Sequence, residues 1–211
     1  MMGFHIGLDL DNTIITYDEA FAKVGAEIGL LARDHGLRTK EAVKAHLITP
    51  ARGERDWMRL QGQVYGRHIA SATLCPGVAE VIRDLRRRGA RISIISHKTR
   101  FGHFDDEVNL WDAARSWLER NGFFSADGLG LDPADLHFLE TREAKVQTIG
   151  AVGCAAFVDD LPEVLLHPAF PQRTVGLWFA GERPAADAAG LVAYRNWADI
   201  GKKITALMGF G

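Results

Sequence analysis

The stretch FHIGLDLDNTII at residues 4–15 limits what the rest of the chain can be. Phe4, Ile6, Leu8 and Leu10 alternate with smaller or more polar residues between Gly3 and Asp11, which is the pattern of a short strand. Two carboxylates, Asp9 and Asp11, stand one residue apart at its C-terminal end. In an extended chain the period of two puts both on the same side. Like charges that close disfavour each other's ionised form unless a cation or hydrogen-bond donors compensate. Asn12 and Thr13 then supply small polar groups suited to turning the chain. Alone, Asp-Leu-Asp-Asn-Thr reads equally well as a strand end running into an Asx-rich turn. A calcium loop of EF-hand type fits poorly: Thr13 stands where Asp or Asn is expected, Ile14 where glycine is needed, and Ala20 where the closing Glu belongs.

A chain of 211 residues allows one substantial domain, or a domain with a small appendage. A net charge of -2 gives no basic field, so a nucleic-acid polymer is not an expected partner. Cys75 and Cys154 have no paired spacing and read as small buried residues of a reducing compartment. No basic-then-apolar leader and no membrane-length apolar run is seen, so a soluble cytoplasmic protein is the expectation. The oligomeric state is open.

After the opening strand comes a block without strand signals. Residues 17–35 carry Phe21, Val24, Ile28 and Leu31 at helical spacing, with Asp18 and Glu19 in the first turn and Gly36 as the stop. Thr39 opens a second helix that ends before Pro50, and a third is expected over 54–72. From Cys75-Pro76-Gly77 onward helices and strands alternate: helix 78–88, strand 90–96, helix 107–122, strand 136–140, helix 143–152, strand 155–158, a helix beginning at Pro162, strand 174–179 and helix 196–208. That order implies an α/β fold with a doubly wound, mainly parallel sheet. The division is a core of 1–16 and 75–211, with 17–74 as an inserted helical unit.

Ligands bind beyond the carboxyl ends of the strands in such sheets. The first strand ends in Asp9 and Asp11, the second core strand in Ser96 followed by His97 and Lys98, and the strand near 157 in Asp159 and Asp160. Lys145 lies in the first turn of the helix before that last strand. Each has a dull account: Ser96 as a helix cap, Lys145 as a surface cation, Asp159-Asp160 as an N-cap before Pro162. Their falling in this order at element ends is what carries weight.

On DLDNT at 9–13, IISHK at 94–98, Lys145 and VDD at 158–160, the sequence resembles the phosphatase branch of the haloacid dehalogenase superfamily. The resemblance runs from the first strand to about Leu166, and the block at 17–74 falls where that superfamily inserts a cap. It implies a Rossmann-like core and a phosphoryl-transfer site. Asp9 would be the nucleophile forming an aspartyl-phosphate, and Asp11 the general acid and base. Mg²⁺ would be held by Asp9, the backbone carbonyl of Asp11 and Asp159, with Asp160 ligating through water or orienting its neighbours. Ser96 and Lys145 would hold the phosphoryl oxygens. His97 is a candidate substrate contact, with packing or capping as the alternative. Asn12 stands where the family often has glycine.

The expected function is a Mg²⁺-dependent phosphomonoesterase acting on a small phosphorylated metabolite, a sugar phosphate or a nucleotide. A phosphomutase would use the same core residues. A metal-independent dehalogenase needs the attacking Asp alone, so Asp11 and the Asp159-Asp160 pair argue against it. A non-enzymatic binding protein has no reason to keep carboxylates that repel. Substrate choice falls to the cap, where Arg52, Arg55, Arg59 and Arg67 lie, and to Lys98 and Arg100; a solvated basic face is the plainer account of most of these.

Overall fold

A computed structural model describes residues 3–50, 53–181 and 190–209. The chain divides into two compact units. The first comprises 1–15, 74–98 and 122–211; the second comprises 16–73 and 99–121. In chain order the strands are β1 His5–Leu8, β2 Ile15–Thr16, β3 Thr73–Leu74, β4 Arg91–His97, β5 Phe101–Gly102, β6 Asp105–Asn109, β7 Leu136–Leu139, β8 Ala156–Asp159, β9 Val175–Phe179 and β10 Ala193–Tyr194. The helices are α1 Asp18–Glu27, α2 Lys40–Leu47, α3 Arg55–Tyr65, α4 Val78–Arg87, α5 Leu110–Arg120, α6 Arg142–Ala151, α7 Pro162–Leu165 and α8 Trp197–Leu207. No helix among the described residues is long and apolar enough to cross a membrane.

The first unit is built on a six-stranded sheet in the order β10-β9-β8-β1-β4-β7. The described pairings in it are all parallel, as the alternation of helices and strands requires. Ile6, Leu8, Ile94, Phe157 and Val158 are buried almost completely, the near-continuous apolar character expected of strands covered on both faces. The chain runs outward from β1 to β4 and β7, then returns to place β8 on the other side of β1. That reversal is a topological switch point, and β1 and β8 both end there in aspartates.

The opposite end of the sheet is pinned by a polar chain. His5 Nδ1 lies 2.9 Å from the Val152 carbonyl and Nε2 lies 2.8 Å from Ser93 Oγ. Ser93 Oγ donates to Asp135 Oδ1 at 3.1 Å, and Arg91 Nε donates to Asp135 Oδ2 at 3.0 Å. Burial lowers the His5 imidazole pKa, and the Arg91 guanidinium helps hold the Asp135 carboxyl below its usual range. Both cysteines are free and buried.

In the second unit, α1 and α3 meet through aromatic rings. Phe21 stacks on Trp57 with centroids 4.9 Å apart, and Tyr17 meets Tyr65 edge-on at 4.8 Å. The β5–β6 hairpin packs on α3 where both chains are glycine: a Cβ on Gly102 would stand 2.9 Å from Gly62 Cα. Arg67 ties the hairpin down, donating to Asp105 at 2.7 and 3.1 Å and to Glu107 at 2.7 Å. The Trp117 indole N–H of α5 donates to the Ala72 carbonyl at 3.2 Å.

Several boundaries differ from the sequence reading. Helix α1 stops at Glu27 and does not run to His35, because Gly29 adopts φ 73° and the N–H groups of Leu30 and Leu31 both turn back to the Gly25 carbonyl. The 54–72 helix breaks at Gly66, leaving a short 3₁₀ turn at Ile69–Ser71. The helix expected over 107–122 starts at Leu110, because 107–109 belong to strand β6; Asn109 then caps α5, accepting from the N–H of Trp111 at 2.9 Å. The second unit also contains 99–121, which the sequence reading gave to the core.

Candidate active site

The site is assembled from four chain segments of the first unit. Strand β1 delivers Asp9, whose N–H is tied to the Val158 carbonyl of β8 at 2.9 Å. The chain then turns sharply: Asn12 takes φ 59°, a left-handed conformation that asparagine tolerates better than most residues. Its N–H donates to the Ile15 carbonyl at 2.7 Å, and those of Ile14 and Ile15 donate to the Leu10 carbonyl. The Trp197 indole N–H supports the turn at the Thr13 carbonyl, 2.9 Å away.

Beyond β8, Asp159 and Asp160 close the other side. Asp159 Oδ1 accepts from the Leu161 N–H at 2.9 Å, an Asx turn that leads into Pro162 and α7. The Asp160 carbonyl accepts from the Trp178 indole at 3.2 Å. Asp9, Asp159 and Asp160 are all buried, and one carboxylate oxygen from each lies within 4.8 Å of the others. Such a set of hard oxygen donors suits a divalent cation such as Mg²⁺.

Lys145, on α6, enters the middle of this cluster. Its Nζ donates to Asp9 Oδ1 and Asp159 Oδ2, both at 2.6 Å, and stands 5.5 Å over the Phe157 ring. Thr141 caps α6 and so fixes where Lys145 emerges, while Val146 and Ile149 bury the same helix against Ile95 and Phe157. Against the opposing effect of burial, the two carboxylates hold the Lys145 ammonium in its charged form. Burial, with Asp9 and Asp160 beside it, pushes the Asp159 carboxyl up to about 8, and burial, with the Asp11 charge nearby, raises Asp9. These shifts agree once the charges are added: one ammonium cannot balance three buried carboxylates.

Asp11 does not join that cluster through its carboxylate. It pairs with Lys98, whose Nζ is 2.7 Å from Asp11 Oδ2. Ser96, at the end of β4, is buried, and its Oγ has no hydrogen-bond partner among the described residues. His97 is exposed, and its Nε2 sits 3.1 Å from the Glu140 carbonyl. Arg67 belongs to the hairpin ties of the second unit. Arg52 lies outside the described residues. Sequence reasoning placed Lys98 at the strand end after Ser96, among cations facing either solvent or an anionic substrate, and did not pair it with Asp11.

No protein-family model matches the chain, and no curated protein matches it. Solved structures do. A predicted phosphatase from Clostridium acetobutylicum aligns with a TM-score of 0.60 at 10% identity, covering 98% of this chain and 100% of its own. A HAD family hydrolase from Deinococcus radiodurans, solved with bound phosphate and sodium, aligns at 0.56 and 15%, covering 99% and 97%. A predicted phosphoglycolate phosphatase from Haemophilus somnus aligns at 0.54 and 16%, covering 97% and 99%. Identities this low make the likeness one of fold.

Proposed function

We propose that this chain, whose fold is that of the haloacid dehalogenase-superfamily hydrolases, is a phosphomonoester hydrolase working through an aspartyl-phosphate with Mg²⁺ as cofactor. The observation that carries the reading is the meeting of Asp9, Asp159, Asp160 and Lys145 beyond the switch point of a parallel sheet. Three buried carboxylates against one ammonium fit a divalent cation, which Asp9, Asp159 and Asp160 would hold together with the Asp11 carbonyl. When bound, Mg²⁺ supplies charge neutralisation for the phosphoryl oxygens.

The chain's own residues do the rest. Asp9 attacks phosphorus as the ester bond breaks, and Asp11 gives its proton to the leaving oxygen. Asp11 then takes a proton from the water that releases phosphate from Asp9. Lys145 holds Asp9 in line and offers its remaining charge to the phosphoryl group. The unpartnered Ser96 hydroxyl is a donor suited to a phosphoryl oxygen. A dehalogenase would leave Asp11 and its lysine without a task.

The substrate proposed is a small phosphorylated metabolite, a sugar phosphate or a nucleotide, in the cytoplasm. The Deinococcus hydrolase with bound phosphate and the Haemophilus protein named as a phosphoglycolate phosphatase support that class. Substrate choice is assigned to the second unit as a cap. The test is phosphate release from a panel of phosphorylated metabolites. Activity should appear with Mg²⁺, vanish with excess chelator and return on readdition. No release from any compound in Mg²⁺ overturns the reading, and full activity in chelator overturns its metal.

A further inference from the structure

We propose that Lys98 is the positioning residue for Asp11, a reading that rests on the phosphomonoesterase function. Lys98 continues the β4 ladder, its N–H donating to the Leu139 carbonyl at 2.9 Å. Its side chain is 3% exposed and its ammonium is 2.7 Å from Asp11 Oδ2, while the Asp11 side chain is 20% exposed. A lysine on a solvated face keeps its ammonium in water; one buried to this extent is held by its counter-charge. Asp9 has its own cation in Lys145. The two crowded carboxylates of the opening strand are therefore shared out between two ammonium groups that arrive from different elements, α6 and the end of β4.

That division gives each aspartate a distinct setting. Asp9 is enclosed with the other buried acids. Asp11 is held at Oδ2 by the Lys98 ammonium, which fixes where its carboxyl meets the leaving group. In the first step the ester P–O bond breaks, its electron pair stays on the leaving oxygen, and that oxygen takes the proton from Asp11 as Asp9 bonds to phosphorus. A new carboxylate charge appears on Asp11, and the Lys98 ammonium balances it in place with no reorganisation. In the second step the attacking water loses its proton to Asp11 and the acyl-phosphate bond breaks, restoring Asp9. Lys98 keeps its protons throughout.

The experiment compares turnover of an alkyl and an aryl phosphate by the wild-type chain, K98M, K98R, D11N and D11N/K98M, with thermal stability and Mg²⁺ affinity measured on each. Acid–base catalysis contributes roughly 10²–10⁴-fold, so losing the group that places the acid should cost about 10- to 100-fold on the alkyl substrate. The loss should be several-fold smaller on the aryl substrate, K98R should recover most of it, and K98M should change D11N by less than about threefold. K98Q, which keeps a hydrogen bond without the charge, makes the same comparison if K98M does not fold. An equal loss on both leaving groups, or the same loss in the D11N background as in wild type, overturns the proposal while leaving the function intact. A wild-type chain that forms no phosphoenzyme overturns the function and this proposal together.

Discussion

Lys145 Nζ stands 2.6 Å from Asp9 Oδ1 and 2.6 Å from Asp159 Oδ2, joining residues 136 and 14 positions away in the chain. Its ammonium compensates part of a charge that burial makes expensive, and it leaves a net negative cluster behind. Replacing Lys145 with Met removes the compensation and keeps the bulk. Removing one partner of a buried pair typically costs about 3–5 kcal/mol. K145M should lose stability of that order at pH 8 in chelator, less at pH 5 where the acids can protonate, and should be inactive. A K145M chain as stable as wild type at pH 8 in chelator contradicts the charge balance described here.

The same imbalance sets a pH dependence for the metal-free protein. The Asp159 carboxyl is raised to about 8 in the folded chain, against an ordinary aspartate value of 3.8. Between those values the folded state keeps a proton that the unfolded state releases, so metal-free stability falls as pH rises, by up to about 1.4 kcal/mol per pH unit for one proton. His5, lowered by burial, works in the opposite direction through its own titration. The cleaner quantity is the rise in melting temperature on adding Mg²⁺, because binding requires the deprotonated acids. That rise should grow from pH 5 to pH 8. A rise that is absent or independent of pH speaks against a metal at Asp9, Asp159 and Asp160.

Gly7 sets how closely β1 can sit to its surroundings. A Cβ there would stand 2.5 Å from the Phe157 ring and 2.8 Å from Cys154 Sγ. Gly7→Ala should destabilise by about 1–3 kcal/mol through overpacking. Because Asp9 is two residues further on, turnover should fall more than binding. A neutral Gly7→Ala, judged by denaturant melts and kinetics, contradicts the packing at this strand.

Trp117→Phe tests the make-up of the second unit. It strands the Ala72 carbonyl, a loss of about 1–3 kcal/mol for an acceptor left unsatisfied. Amide exchange should speed up together in 16–73 and 99–121, while β1, β4 and β8 stay protected. Faster exchange confined to 99–121 contradicts the grouping of the two segments.

What the sequence disclosed follows from local physics. Ile92, Ile94 and Ile95 of β4 and Ala156, Phe157 and Val158 of β8 are buried because both sheet faces are covered, and Asp159 and Asp160 beyond β8 stand out against that background. The end of α1 did not show, because Ile28, Leu30 and Leu31 prolong the apolar spacing while Gly29 takes the chain out of the helix. The helix expected from Glu107 starts late, because Arg67, 38 residues before Asp105, ties Asp105 into a hairpin. The partners of the acids were hidden for a related reason. Lys98 and Lys145 look alike as letters, and only the register of β4 and the face of α6 send one to Asp11 and the other to Asp9.

The central claim is that Asp9 becomes covalently phosphorylated, and rapid-quench trapping of phosphoenzyme tests it most directly. Wild type, Asp9→Asn and Asp11→Asn would be mixed with a phosphate ester in Mg²⁺, quenched in acid, and the labelled residue located by peptide mapping. The account predicts an acid-stable acyl-phosphate on Asp9 in wild type, none in Asp9→Asn, and slow formation and slow breakdown in Asp11→Asn. Phosphate trapped on any other residue, or an acyl-phosphate that survives Asp9→Asn, contradicts it.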